Sequence, residues 1–358
     1  RQGMKVMMRY GSSWHDVAEQ VKAITKQGLS ARAFMLCTDD SHSETLFNEG
    51  HMDRVVRHAI EEGLDPMTAI QLATINTAEH FGVEREMGMI APGRYADIVL
   101  VKDLKHFKAE TVFAKGVEVV ADGKWKIDLP TITYPEWATQ SVHLVKPLEA
   151  SDFILSADGL DAVSANVIGV IENQAPTKHL KMKMQPQDGQ IKQDRQRDIA
   201  KIALVERHRS TGRIQVGLVS GFGFTAPCAV ATTVAHDCHQ MIVVGMDDND
   251  MAIAANELAK CGGGQIVVRQ GEVLGKVDLP VAGLMSNESA QAVAKKAASV
   301  LNGFKMCGCE LNNPNMQLSL LGLVVIPELR ISDLGLVDVT RFNFIPVIEP
   351  VDSSQDRE

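Results

Sequence analysis

The sequence predicts an α/β protein, and three observations carry that prediction. Residues 1–83 run strand, helix, strand, helix, helix, an order typical of a barrel or a doubly wound sheet. Residues 84–145 change to short β runs separated by turn residues. The last stretch, from about residue 200, alternates apolar β runs with two helical patterns.

Each element has a local reason. KVMMRYG is a short apolar strand, and WHDVAEQVKAITKQG has apolar positions at helical spacing with Gly28 as its stop. ARAFMLCTD is nearly continuous in apolar residues, as a strand covered on both faces is. HMDRVVRHAIEEGL and PMTAIQLATINTAEHFG read as amphipathic helices, with Pro66 suited to a first turn. ADIVLVKD and TVFAKGVEVVADGKW are short strands, and Asp122-Gly123 signals a hairpin. The polar stretch MQPQDGQIKQDRQRD, residues 184–198, reads as a solvated loop. Beyond it, KIALVER, RIQVGLVSG, QMIVVGM and GQIVVRQGEVLGKVDLP are strands, while DMAIAANELAK and AQAVAKKAASVLNGF are helices. Three domains are expected, over residues 1–83, 84–145 and 146–358.

Composition narrows the function. A formal charge of -9 argues against a nucleic-acid surface, which would show a basic face. No apolar run reaches the ~18 residues a membrane span needs, so no membrane partner is expected. Six cysteines without framework spacing suit free thiols in a reducing compartment, and a cytoplasmic location is expected. A homo-oligomer is the expected assembly.

The chemistry-bearing candidates begin with Asp39 and Asp40, two carboxylates at the end of the second strand. Parallel β/α folds place their active sites where strand carboxyl ends open into loops. A carboxylate there binds a divalent cation or moves a proton, although Asp also caps turns and helices. His42 and His51 come after the same strand, and His51 is the better candidate to face a strand-end site. His236-Asp237-Cys238-His239 forms a second constellation. Its flanks read as strand, turn, strand, leaving three readings open: a structural bend, a pocket contact, or a metal-ligating pair. Gly262-Gly263-Gly264 follows a helix and precedes a strand, the reverse of a phosphate cradle. Cys307-x-Cys309 lacks a second pair for zinc.

Thr38-Asp39-Asp40, two helices and then MGMIAPGRYADIVLVKDLK together resemble the C-terminal end of an amidohydrolase-superfamily enzyme. The matching positions are Gly88, Ile90, Gly93, Ala96, Asp97, Ile98 and Val99, with Asp97 read as structural. The run TTVAHDCHQMIVVGMDDNDMAIAANELAKCGGGQIVVRQGEVLGKVDLPVAGLMS, with VERHRSTGRIQVGLVSGFGF before it and LVVIPELRISDLGLVDV after it, resembles the extra C-terminal domain of bacterial adenine deaminases. The resemblance implies the end of a TIM-like (β/α)8 barrel over residues 1–83, a composite β-sandwich segment over 84–145, and an additional α/β domain over 146–358. It also implies metal-dependent hydrolysis of adenine to hypoxanthine and ammonia at a divalent centre, binuclear in manganese, iron or zinc. Asp39 would be metal ligand and catalytic proton-transfer group, with Asp40, His51, His236 and His239 as substrate contacts.

Two features qualify that picture. No His-x-His pair occurs in the sequence, and only about 40 residues precede Asp39, so most barrel ligands are expected on a longer polypeptide or a separate chain. Tyr10 stands where the family carries a carboxylate, and Cys238 and Gln240 replace a serine and an asparagine. Another cyclic amidohydrolase, or a non-catalytic accessory module, remains the alternative.

Overall fold

A computed structural model describes residues 3–351 and divides the chain into two compact units, Arg1–Ile132 and Thr133–Glu358. The division falls between 132 and 133, ahead of the 145/146 boundary read from composition. Residues 133–145 pack with the second unit: the His143 amide donates to the Arg207 carbonyl at 2.8 Å, and Val142 and Leu144 join a core cluster there.

In the first unit, β1 (Val6–Arg9) and β2 (Phe34–Cys37) pair in parallel, from Val6 opposite Phe34 to Arg9 opposite Cys37. The predicted first helix is two short pieces, α1 (Val17–Gln20) and α2 (Lys22–Thr25), closed by Gly28 at φ +65. After β2 come α3 (Ser43–Asn48), α4 (Met52–Glu61), α5 (Pro66–Ala73) and α6 (Ile75–Phe81). Asp65 caps α5 by accepting from the Thr68 amide, with Pro66 in the first turn where its missing N–H costs nothing.

Met8, Val17, Val21, Leu36, Val55, Val56, Ala59 and Leu72 form the core of this layer. Asn76 on α6 donates to the carbonyls of Ala31 and Phe34, both at 3.0 Å, which fixes the helix against β2. A four-stranded antiparallel meander comes next: β3 (Ile98–Val101), β4 (Ala109–Ala114), β5 (Val117–Ala121) and β6 (Lys124–Trp125). Asp122 and Gly123 turn its last hairpin at φ +52 and +70, as their sequence signals. Asp97 accepts the Lys115 amide at 2.7 Å, in keeping with its structural reading.

The second unit opens with α7 (Glu136–Thr139) and β7 (Leu155–Ser156), the latter paired with β10 (Gln190–Ile191). Its body is a nine-stranded sheet. The strands are β8 (Val163–Val170), β9 (Thr177–Met184), β11 (Ile199–Val205), β12 (Ile214–Ser220), β13 (Ala229–Thr232), β14 (Met241–Gly245), β15 (Gly264–Arg269), β16 (Glu272–Asp278) and β20 (Ile348–Pro350). The spatial order is β16-β15-β13-β14-β11-β12-β8-β20, and β9 pairs along the whole of β8. Only the β12–β8 pairing is parallel; the other pairs in this sheet run antiparallel. A small sheet of β17 (Leu329–Ser332), β18 (Gly335–Asp338) and β19 (Asn343–Ile345) completes the strands.

Three helices accompany the sheet: α8 (Asp248–Lys260), α9 (Ala290–Met306) and α10 (Pro314–Leu320). Alternation along β11 and β14 divides the core in two. Ile202, Leu204, Ile242 and Val244 pack with Val300 and Phe304 of α9. Ala203, Val205, Met241 and Val243 pack with Met251, Ala254 and Leu258 of α8. Both faces are therefore covered. An antiparallel sheet buried on both sides gives the unbroken apolar runs that a parallel one gives. Lys201 sits on the α8 face with no exposed surface, and its ammonium meets Asp248 at 2.7 Å.

Candidate active site

The strand ends of the first unit bring two loops together. Asp39 lies two residues beyond β2 with φ +61, an uncommon conformation for a non-glycine residue. Its Oδ2 accepts from Arg9 Nη1 at 3.1 Å, and Arg9 Nε donates to Asp16 at 2.5 Å. The side chain keeps 47% of its surface exposed, so it faces outward from the strand end.

Asp40 turns the other way. Its Oδ2 accepts the Ser13 amide at 2.7 Å and its carbonyl accepts the Ser12 amide at 2.9 Å. Its Oδ1 is buried without a hydrogen-bond partner among the described residues. The Ser12 hydroxyl accepts the His42 amide at 2.9 Å and donates to Thr45 at 2.8 Å. Residues 9–13 at the end of β1 thus clasp residues 39–45 after β2. His51 occupies the N-cap position of α4 and is exposed, its amide donating to Asp53 at 2.9 Å.

Tyr10, the departure from the family pattern, is held by stacking. Its ring lies 3.8 Å from the His58 ring at 14°, with the Arg54 guanidinium 4.0 Å from its centroid. Arg54 is 8% exposed and donates to the carbonyls of Tyr10 and Gly11 and to Glu49. Burial holds the His58 imidazole below its ordinary range. A cavity of about 470 Å³ opens here, lined by Tyr10, Asn48, Arg54, Arg57, His58 and His106 among others.

In the second unit, residues 233–240 bend between the antiparallel strands β13 and β14, as the flanking pattern predicts. His236 and His239 do come together, with ring centroids 5.6 Å apart and planes at 63°. Cys238 is exposed between them. Arg207 pins the bend from below and is 1% exposed. Its guanidinium donates to the carbonyls of His239 at 2.6 Å, Ser141 at 2.8 Å and Ala282 at 3.0 Å. Burial pulls its pKa down to about 10, with Cys238 and the Glu206 carboxylate opposing the shift only in part. Burial also lowers the His239 pKa, and His236 and Arg207 add to the effect.

Sequence reasoning singled out the aspartates and histidines but passed over the residues that hold them: Arg9, Gly11, Ser12 and Ser13 in one unit, Arg207 in the other. A basic residue closing a strand, with a glycine two positions on, was the available signal for the first group. Arg207 lies in a polar run, Glu206 to Arg213, that gives no sign of burial.

A divalent metal does not fit these residues taken alone. Among the described residues no three His, Cys, Asp or Glu side chains converge to hold one, and Asp39 is engaged with Arg9.

Sequence comparison bears on both units. The Amidohydrolase family model matches residues 12–125, and the Adenine deaminase C-terminal domain model matches residues 174–343. The first unit is thus similar to amidohydrolases over residues 12–125. An adenine deaminase from Ruegeria sp. (strain TM1040) is 57% identical over 351 residues, covering 98% of this chain and 58% of that protein. Those from Roseobacter denitrificans (strain ATCC 33942 / OCh 114) and Moorella thermoacetica (strain ATCC 39073 / JCM 9320) are 56% and 47% identical, over 98% and 97% of this chain and 58% of each relative. Along nearly its whole length the chain is similar to these adenine deaminases, and it spans 58% of the length of each. A solved β-aspartyl dipeptidase from Fervidobacterium islandicum AW-1 aligns at 21% identity over 36% of this chain and 34% of that one, with a TM-score of 0.28, too slight a likeness to bear on the fold.

Proposed function

We propose that this chain forms the C-terminal part of an enzyme that hydrolyses adenine to hypoxanthine and ammonia. The observation that carries the proposal is the 57% identity to an adenine deaminase over 98% of the chain, through both units. In this reading β1 and β2 are the last two strands of a (β/α)8 barrel, β3 to β6 contribute to a β-sandwich, and the second unit is the domain appended in this family.

The chemistry is dictated by the reaction. Water adds at C6 of the purine, and the amine leaves as ammonia once it has gained a proton. A carboxylate at a barrel-strand end receives the proton from water and returns it to the leaving amine. Asp39 is proposed for that role, with Arg9 orienting its carboxylate. Amidohydrolases generally use divalent metals, and the proposal places the ligand set beyond Asp39 on the whole enzyme, not on the described residues. Asp40, His51, His236 and His239 are proposed as substrate contacts. A homo-oligomer is proposed as the assembly, and among the described residues no helix is long and apolar enough to cross a membrane.

The test uses the full-length enzyme with its metal. Adenine should be converted to hypoxanthine, and Asp39→Asn should lower kcat by roughly 10²–10⁴. An unchanged rate in that variant rejects the role of Asp39. Turnover of a dihydropyrimidine or cytosine in place of adenine rejects the substrate. Direct contact by Asp40, His51, His236 or His239 would raise KM on substitution with kcat unchanged.

A further inference from the structure

Arg54 takes no part in the proton transfer proposed at Asp39, yet its partners tie it to that strand end. It lies in the first turn of α4 and is 8% exposed. A guanidinium that gives up its hydration needs hydrogen bonds in return. Its Nε donates to Glu49 Oε2 at 2.6 Å and its Nη1 to the Tyr10 carbonyl at 3.1 Å. Both Nη atoms reach the Gly11 carbonyl at 3.2 Å. The flat face of the group lies 4.0 Å from the centroid of the Tyr10 ring.

Those two carbonyls sit at the centre of a grip on both aspartates. On one side, Arg9 Nη1 donates to Asp39 Oδ2 at 3.1 Å. On the other, the Ser12 amide donates to the Asp40 carbonyl at 2.9 Å and the Ser13 amide to its carboxylate at 2.7 Å. Between them, the Tyr10 amide donates to the Cys37 carbonyl at 3.0 Å, where β2 ends. The peptide plane is rigid, so tilting the Tyr10–Gly11 peptide would carry the grip with it. Asp39 keeps φ +61, a conformation that persists in a non-glycine residue when its neighbours over-determine it.

Anchoring α4 does not explain this arrangement. Val55, Val56 and Ala59 already bury that helix in the core of the unit. The guanidinium is spent instead on the loop at the end of β1.

We propose that Arg54 is a positioning residue for deamination. It sets the Tyr10–Gly11 backbone so that Arg9, Ser12 and Ser13 hold Asp39 and Asp40 in the reactive arrangement. The inference rests on the deamination reading.

The test compares the full-length, metal-loaded parent with Arg54→Lys and Arg54→Ala, each checked for folding by circular dichroism. Lysine keeps the charge but replaces a planar fork with one ammonium, so it cannot serve both carbonyls and Glu49. In Arg54→Lys, kcat per folded enzyme should fall by about 100-fold, the scale of a ~1 Å misplacement, with KM little changed. In Arg54→Ala, guanidinium ion should restore rate where the same concentration of sodium chloride does not. Hydrogen exchange should speed up at residues 10–13 and 39–42 while the β1 and β2 amides stay protected. A parent-like kcat in Arg54→Lys overturns the proposal, because a purely structural role lowers the melting temperature and not the rate per folded molecule. Equal effects of the two salts overturn it, as does a lost kcat with unchanged exchange in both segments. Absence of adenine turnover in the parent rejects the deamination reading and this inference with it, an outcome distinct from an active parent indifferent to Arg54.

Discussion

The Asp40 carboxylate occupies the space that a side chain on Gly11 would need. An ideal Cβ on Gly11 would lie 2.8 Å from Asp40 Cγ and 2.7 Å from its carbonyl oxygen, and closer still to Oδ1. These two residues belong to loops after different strands, so the fit joins the end of β1 to the end of β2.

Gly11→Ala is accordingly expected to destabilise the first unit by about 1–3 kcal/mol, the usual cost of overpacking. Asp40→Ala removes the carboxylate and leaves only the backbone carbonyl in the way, so the double variant should lose less than the sum of the two single losses. Chemical denaturation of the four proteins gives the coupling energy. Strict additivity would show that the loops do not bear on each other through this pair.

Lys201 and Asp248 supply a second expectation. The ammonium is fully buried, burial lowers its pKa, and Asp248 opposes that shift at 2.7 Å. Gln193 donates to the other Asp248 oxygen at 2.6 Å. Asp248→Asn leaves a buried cation without its counter-charge and should cost about 3–5 kcal/mol. Lys201→Met combined with Asp248→Asn should recover much of that loss. Thermal unfolding with a two-state check measures both.

These residues also show what was readable from the sequence. The apolar run ending in Asp39 announces a strand-end carboxylate, and it lies there. That Asp40 fits against Gly11 was not readable, because the contact depends on how two loops from different strands meet. The strands of the second unit were visible as apolar runs, but their antiparallel direction was not, since α8 and α9 cover both faces and erase the alternation. β8 and β9 lie in a stretch for which the sequence predicted no element. The lysines of β9 at 178, 181 and 183 hide a strand whose exposed positions suit a sheet edge. The helix expected over residues 66–82 breaks at Thr74, where φ -126 and ψ -92 leave helical geometry. Its Oγ1 bonds to the Ile70 carbonyl at 2.6 Å, a local competition that threonine offers readily.

Glu206 predicts an acid limit for the second unit. Its burial raises the pKa, but the Thr211, Arg209 and His208 amides and the Thr211 hydroxyl all donate to its carboxylate and bring it down to about 2. Its ordinary value is 4.5. A group whose folded pKa is depressed adds stability above its unfolded pKa and loses it as pH falls toward the folded one. Between pH 4.5 and about 2, Glu206 should therefore steepen the loss of stability. Glu206→Gln should be less stable at neutral pH and show a flatter acid limb. Equal slopes in parent and variant would place acid sensitivity elsewhere.

Arg207 gives the most local prediction. Its guanidinium joins three loops through carbonyls at residues 141, 239 and 282, and Gly283 has no room for a side chain, since a Cβ there would meet the guanidinium at 2.8 Å. A lysine keeps the charge but offers one ammonium in place of a planar fork, so it cannot reach three diverging acceptors. Arg207→Lys should therefore leave carbonyls unpaired, at about 1–3 kcal/mol for each buried group lost. Hydrogen exchange should speed up at residues 233–240 while the β11 and β14 amides stay protected. Uniform acceleration across the sheet would mean that Arg207 supports the whole core and not the bend.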